Sequence, residues 1–378
     1  MGKNRLTYAV GLVAFLLLAL FLPSELTYFA LYTLLLLPVI SLMMFALTVR
    51  QIHLSGELTA DFVQKGELAE FVVTVRNRGM FPLAMLEFCL AADRADVFAE
   101  ERNIRCGVRL RAKKKMVCPI RTSHCALYHV WVEEIKLYDF LGLFCVRQAE
   151  KESVVLTVLP RILPLGSEMI HALSQGDMQL GKRNDSEAEE HELRLYQPTE
   201  DSRNIHWKAS VKRNELMSKY VFDNEQRRVQ FFIDTNLGER FSEETLELED
   251  KMVETLVSIM SHLHEKSYQL ALSAACGTEI DTKMDFLYLY HQAAGLVFGE
   301  YGDAGALVDT LSESQKNPTM MVLVLHTLDE TMCGKIARLA EAKHQVIVVG
   351  FALADAQHHS ESLHQAGVQY LDGEEVLL

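Results

Sequence analysis

Two apolar runs at the start of the chain limit what it can become. LTYAVGLVAFLLLALFL, from Leu6 to Leu22, and LTYFALYTLLLLPVISLMMFALTV, from Leu26 to Val49, contain no charged residue. A bilayer core takes about 20 apolar residues in a helix, so both runs can span it, the first only just. The intervening PSE leaves room for a tight turn and nothing more. Pro38 is expected to kink the second helix, which a membrane tolerates better than water does. Lys3 and Arg5 precede the first run and Arg50 follows the second, whereas the turn offers only Glu25. By the positive-inside rule both ends of the hairpin, and everything after residue 50, face the cytoplasm. A cleaved signal peptide is a rival reading, but the −3 and −1 positions near Pro23 hold no small residue. A buried helical hairpin of a soluble protein is the other.

At 378 residues the chain is long enough for two or three domains. Its formal net charge of −14 argues against a general nucleic-acid binder, which needs a broad basic face. Seven cysteines with no CxxC pair read as free thiols in a reducing compartment.

From 51 to 165 short alternating runs predict a small antiparallel β-sandwich. AEFVVTVRN puts Phe71, Val73 and Val75 on one face, YHVWVEEIKLYDF alternates through Val130, Val132 and Ile135, and SVVLTVLP ends at Pro160. Within this region Arg109, Arg111, Lys113 and Lys115 share a parity, so a strand would set them on one face. They read either as a solvated hairpin tip or as a contact with anionic lipid headgroups.

From 226 to 378 nearly continuous apolar strands alternate with amphipathic helices, which predicts a parallel sheet covered on both faces. Ser242 is placed to N-cap one helix, and Thr327 with Glu330 fits a capping box for another. RVQFFIDT ends in Asp234, at the carboxyl end of a strand, where ligands of open α/β sheets collect. The string D-T-N-L-G that begins there is similar to the D-x-S-x-S of von Willebrand factor A-type domains, whose metal-ion-dependent adhesion site holds a divalent ion. That likeness makes Asp234, Asn236 and, from a later strand end, Asp329 the candidate Mg2+ ligands; the other reading has no cofactor and an Asp that turns the chain at a strand end. Gly238 lacks the oxygen that the pattern's second serine supplies.

Residues 166–225 link the two regions and carry a concentrated motif, LRLYQPTEDSRNIHWKAS. In an extended chain Ile205 and Trp207 point one way and His206 and Lys208 the other. Arg194 and Asp201 can form a charge-assisted pair. The motif resembles the signature of the bacterial domain-of-unknown-function 58 family, close to R-x-Y-x-x-G-D-D-x-R-x-I-x-W-x-x-S. Arg194, Tyr196, Asp201, Ile205, Trp207, Lys208 and Ser210 match, while Thr199-Glu200 stands where the family has Gly-Asp. The upstream YDFLGLF is similar to the family's D-P-F-G-L-F, and VLPRILPL to its Y-P-x-x-x-x-L. The resemblance implies a protein of the bacterial inner membrane with a transmembrane hairpin, a β-domain and a Rossmann-like, von Willebrand factor A-like C-terminal domain. It also implies a MoxR-type AAA+ ATPase as partner, by association.

Two functions follow as expectations. The first is a membrane-anchored, cytoplasm-facing interaction or scaffold protein without enzymatic activity. The second is a hydrolase with His206 as base and Asp201 or Asp234 orienting it. His262 and His264, two apart on a helix, point away from each other and do not form a metal pair.

Overall fold

The computed structural model describes residues 2–22, 24–93, 103–149, 152–176, 193–195, 210–211, 215–219, 228–237, 242–276, 279–280, 286–299, 304–314, 319–351 and 356–378. Contacts divide the chain into Met1–Leu159 and Pro160–Leu378.

The first unit opens with helices α1 (Gly2–Phe21) and α2 (Glu25–Val49). Ser24 caps α2 in a reciprocal box: its hydroxyl accepts from the Thr27 N–H, and the Thr27 hydroxyl accepts from the Ser24 N–H. The Tyr8 hydroxyl donates to the Leu34 carbonyl and ties the two helices together. Helix α2 runs on through Pro38 as one assigned element. Both helices are long and apolar enough to cross a membrane, and only 6% and 11% of their apolar windows are buried by protein. A core hairpin of a soluble protein would bury most of that surface, so membrane anchoring suits these helices better.

Among the described residues nine strands follow: β1 (Ile52–Leu58), β2 (Phe62–Gln64), β3 (Ala69–Asn77), β4 (Leu83–Ala92), β5 (Asn103–Val108), β6 (Lys113–Ile120), β7 (Ala126–Tyr138), β8 (Cys145–Gln148) and β9 (Ser153–Leu159). They form one sheet in the order β1-β3-β6 and a second in the order β2-β9-β7-β4-β5, with β8 also on β7. All pairings are antiparallel except β2 with β9. Both sheets contribute to one core, in which Phe71, Val73, Val75, Phe88, Val130 and Leu156 are essentially solvent-free. In β7 the inward residues change parity, from Val130 and Val132 to Ile135 and Leu137. The cause is a register shift against β4, where Leu90 faces Val132 and Cys89 faces Glu134, leaving Glu133 as the extra residue of a bulge.

The four cations expected on one strand face are instead divided. Arg109 and Arg111 occupy the β5–β6 turn, with Arg111 at φ 51°, and only Lys113 and Lys115 lie on β6. A left-handed residue cannot continue a strand, and β5 pairs with β4 while β6 pairs with β3, so the segment is a turn between the two sheets rather than a hairpin tip.

The second unit begins earlier than residue 166, because the segment after β9 binds to it. Tyr290 donates its hydroxyl to the Pro160 carbonyl at 2.6 Å, Arg161 pairs with Glu254, and the Leu163 N–H donates to Ser258 Oγ at 2.9 Å. Leu165 bridges to Leu377. A short helix, 167–176, comes next. Strands β10 (Leu193–Leu195) and β11 (Met217–Lys219) pair antiparallel at the two ends of the linker motif.

The rest is an α/β sheet built from β12 (Arg228–Ile233), α3 (Glu243–Glu265), β13 (Gln269–Ala274), β14 (Glu279–Ile280), α4 (Phe286–Ala294), α5 (Ala304–Ser314), β15 (Met320–Leu325), α6 (Glu330–Glu341), β16 (Gln345–Gly350), α7 (Ala356–Gln365), β17 (Gln369–Asp372) and α8 (Gly373–Val376). Strand order is β14-β13-β12-β15-β16-β17. Counted within this unit it reads 3-2-1-4-5-6, and only strand 3 is antiparallel. Strands β12, β15 and β16 are buried almost throughout, as the unbroken apolar runs predict. Ser242 caps α3 as expected. For α6 the expectation fails: the cap is Asp329, whose side chain accepts from the Met332 N–H at 2.7 Å. Both Thr327 and Asp329 can cap; the extended backbone at Asp329 decides between them.

Candidate functional site

The strand order of the α/β unit reverses between β12 and β15, which opens a crevice at their carboxyl ends. Asp234 follows β12 directly, and its N–H donates to the Val324 carbonyl at 2.9 Å, so the sheet ladder holds its backbone. His326 and Thr327 follow β15 on the adjacent strand. The parallel register therefore gathers three polar side chains from two distant stretches of chain.

Asp234 is fully buried. Its Oδ1 accepts from the Asn236 N–H at 3.1 Å, and its Oδ2 accepts from the Thr327 hydroxyl at 2.9 Å. His326 Nδ1 lies 3.0 Å from the same Oδ2. That nitrogen is buried and makes no aligned hydrogen bond, so the contact is close but not a donated bond. It becomes an ion pair when the imidazole is protonated. The neighbouring Thr235 hydroxyl is buried without a hydrogen-bond partner among the described residues, while the Thr235 carbonyl accepts from the Gly299 N–H at 2.9 Å.

The carboxylates expected to hold Mg2+ already accept bonds from protein donors. Asp234 spends both oxygens on protein donors. Asp329 spends Oδ1 on the Met332 N–H and Oδ2 on the Thr331 hydroxyl, as the cap of α6. Asn236 offers its side chain at an exposed position, and Gly238 lies outside the described residues. Among the described residues no three His, Cys, Asp or Glu side chains converge on one point.

Most of the linker motif, namely Tyr196, Asp201, Ile205, His206, Trp207 and Lys208, lies outside the described residues. Arg194 sits on β10 opposite Ser218 of β11. Ser210 is buried, and its hydroxyl accepts from the Met217 N–H at 2.8 Å. A residue inside the motif thus fastens the strand that closes it.

His326 and Thr327 were not legible as site residues in the sequence. The signal that points to them is positional: polar residues directly after a buried central strand of an open sheet.

No family model and no curated protein matches the chain. Among solved structures, the chain is similar to a complex of zinc 2-glycoprotein and prolactin inducible protein from human seminal plasma, at 9% identity and TM-score 0.22, covering 28% of this chain and 92% of that one. It is similar to the CARDB domain of the PF1109 protein from Pyrococcus furiosus at 15% identity and TM-score 0.21, covering 29% and 90%. It is also similar to the sporulation control protein Spo0M from Bacillus subtilis at 12% identity and TM-score 0.20, covering 33% and 55%. Likeness at these scores carries no argument about fold or function.

Proposed function

We propose that the chain is a membrane-anchored interaction protein of the bacterial inner membrane, its soluble units in the cytoplasm, whose α/β unit offers its strand-end face to a partner. The observation that carries this reading is the buried Asp234 at the point where strand order reverses. The 3-2-1-4-5-6 order with an antiparallel third strand supports a Rossmann-like, von Willebrand factor A-like unit. The linker motif supports placement in the domain-of-unknown-function 58 family, and through that family a MoxR-type AAA+ ATPase as partner. Crosslinking capture from membranes tests the reading. The wild-type chain should recover an AAA+ ATPase, and Asp234→Ala, with unchanged circular dichroism, should not. Equal recovery from both would overturn it.

One observation favours a hydrolase as the second reading: His326 Nδ1 lies 3.0 Å from Asp234 Oδ2, within reach of a carboxylate that would orient the ring as a base once the bond is aligned. A turnover activity abolished by His326→Ala with folding intact would promote it.

A further inference from the structure

Strand direction sorts the charge of the first unit. β1 begins at Ile52, three residues after α2 ends, and Ile52 faces Asn77 of β3. On the other side of β3, Arg76 faces Lys113 of β6. Adjacent strands lie about 4.8 Å apart, so the β5–β6 turn stands about 10 Å from the foot of α2. Asn77 knits this end together. Its N–H donates to the Ala112 carbonyl at 3.0 Å, and its side-chain amide donates to the carbonyls of Phe81 and Arg109 at 2.9 and 3.2 Å. The Arg78 N–H donates to the Gln51 carbonyl at 3.0 Å.

The result is a collar of exposed cations around the foot of α2: Arg50, Arg76, Arg78, Arg109, Arg111 and the Lys113–Lys115 run. The same strands lead away to Glu57, Asp61, Glu67 and Glu70 at the opposite end, where Lys65 and Arg121 also lie. Asp139, the acid beside α2, is 3% exposed and hydrogen-bonded to Ser41. A protein of net charge −14 has therefore collected a basic surface at one end of one unit.

Beside the collar is a groove of about 350 Å³, walled by Leu37, Ile40 and Met44 of α2 and by Pro82, Phe140 and Leu141. Phe140 is 80% exposed. Arg5, near the start of α1, donates Nε–H to the Leu143 carbonyl at 2.8 Å, so this loop sits level with the charged end of α1. If the helices span a bilayer, headgroups meet acyl chains between this level and Arg50 at the end of α2.

We propose that this end of the first unit is an anionic-phospholipid site, with an acyl chain in the groove and the headgroup phosphate on the cation collar. The inference rests on the helices spanning the membrane. A soluble polyanion would match the charge but leave the apolar groove, which is continuous with the exposed faces of α2, unfilled.

The test uses the full chain in nanodiscs of phosphatidylcholine alone or of an equal mixture with phosphatidylglycerol, read by hydrogen exchange. Amides of 76–82 and 109–115 should exchange about fivefold more slowly in the mixture. The triple variant Arg109→Glu, Arg111→Glu, Lys113→Glu should return to the phosphatidylcholine rate, with exchange in the α/β unit unchanged. Native mass spectrometry should retain one phosphatidylglycerol, lost when Met44→Trp fills the groove. Equal exchange in both lipids, with the chain inserted, would overturn the lipid site and leave the anchor standing. Release of the chain by alkaline carbonate would overturn both. Protection by heparin in phosphatidylcholine discs, with none from phosphatidylglycerol, would overturn the site in favour of a soluble polyanion. A wild-type chain that retains no phosphatidylglycerol would overturn the acyl-chain groove.

Discussion

The Ser41 hydroxyl donates to Asp139 Oδ2 at 2.8 Å, joining the apolar helix α2 to a β-unit loop 98 residues away. Asp139 also accepts from the N–H groups of Phe144 at 2.7 Å and Leu141 at 3.2 Å. One buried carboxylate thus shapes the turn after β7 and docks it on the helix.

Asp139→Ala leaves the buried Ser41 hydroxyl and two half-buried N–H groups without an acceptor, and the expected cost is about 3 kcal/mol. Asp139→Asn keeps the shape and part of the bonding, and is expected to cost about half as much. Thermal unfolding of the detergent-solubilised full chain measures both, and equal loss from the two variants would contradict the account.

Arg161 Nε–H donates to Glu254 Oε1 at 2.9 Å and Nη2 to Oε2 at 3.3 Å. Glu254 is buried, whereas the Arg161 side chain is about half exposed. Removing the arginine deprives a buried carboxylate of its guanidinium, so Arg161→Ala should cost about 2 kcal/mol, discounted for the solvent on the arginine's side. Glu254→Gln should cost about 1 kcal/mol, since a neutral amide needs no counter-charge. Urea midpoints of the two variants decide the order.

Burial lowers the pKa of His344, and the Thr319 N–H, donated to its Nδ1 at 3.2 Å, favours the same neutral ring. Nδ1 as acceptor requires the neutral ring. Burial likewise lowers His262, with the nearby Lys266 adding to the effect. For a base depressed in the folded state, the unfolded chain binds more protons at acid pH. Stability is therefore full above the ordinary histidine value of 6.5 and falls as pH drops through it. His344→Asn keeps an acceptor for the Thr319 N–H without titrating, so its melting temperature should fall less than wild type between pH 7.5 and 5.5.

Ser210→Ala removes the acceptor of the Met217 N–H, both residues being buried. The expected cost is about 1 kcal/mol. Limited proteolysis should cut the linker faster in the variant, and unchanged cleavage would show that the Ser210–Met217 bond does not fasten it.

Because Asp234 and Asp329 already bond to protein donors, magnesium titrated calorimetrically into the full chain should give the same heat for wild type and Asp234→Ala. A heat lost in the variant would restore the ion to the site.

Sequence by itself determined what local chemistry determines. Uncharged runs long enough to span gave α1 and α2, alternation gave β3 and most of β7, and unbroken apolar strands between amphipathic helices gave the parallel sheet with Asp234 at a strand end. These signals survive because burial acts on periodicity within a few residues. The tertiary structure alone decided what depends on partners far along the chain. Asp234 and Thr327 are 93 residues apart, and only the register of β12 beside β15 brings them within 2.9 Å. Whether Thr327 capped a helix or bonded to a carboxylate was open locally, since a hydroxyl can do either. The cations from Arg109 to Lys115 were legible as a cluster, but Arg50, Arg76 and Arg78 join them only once strand directions are known.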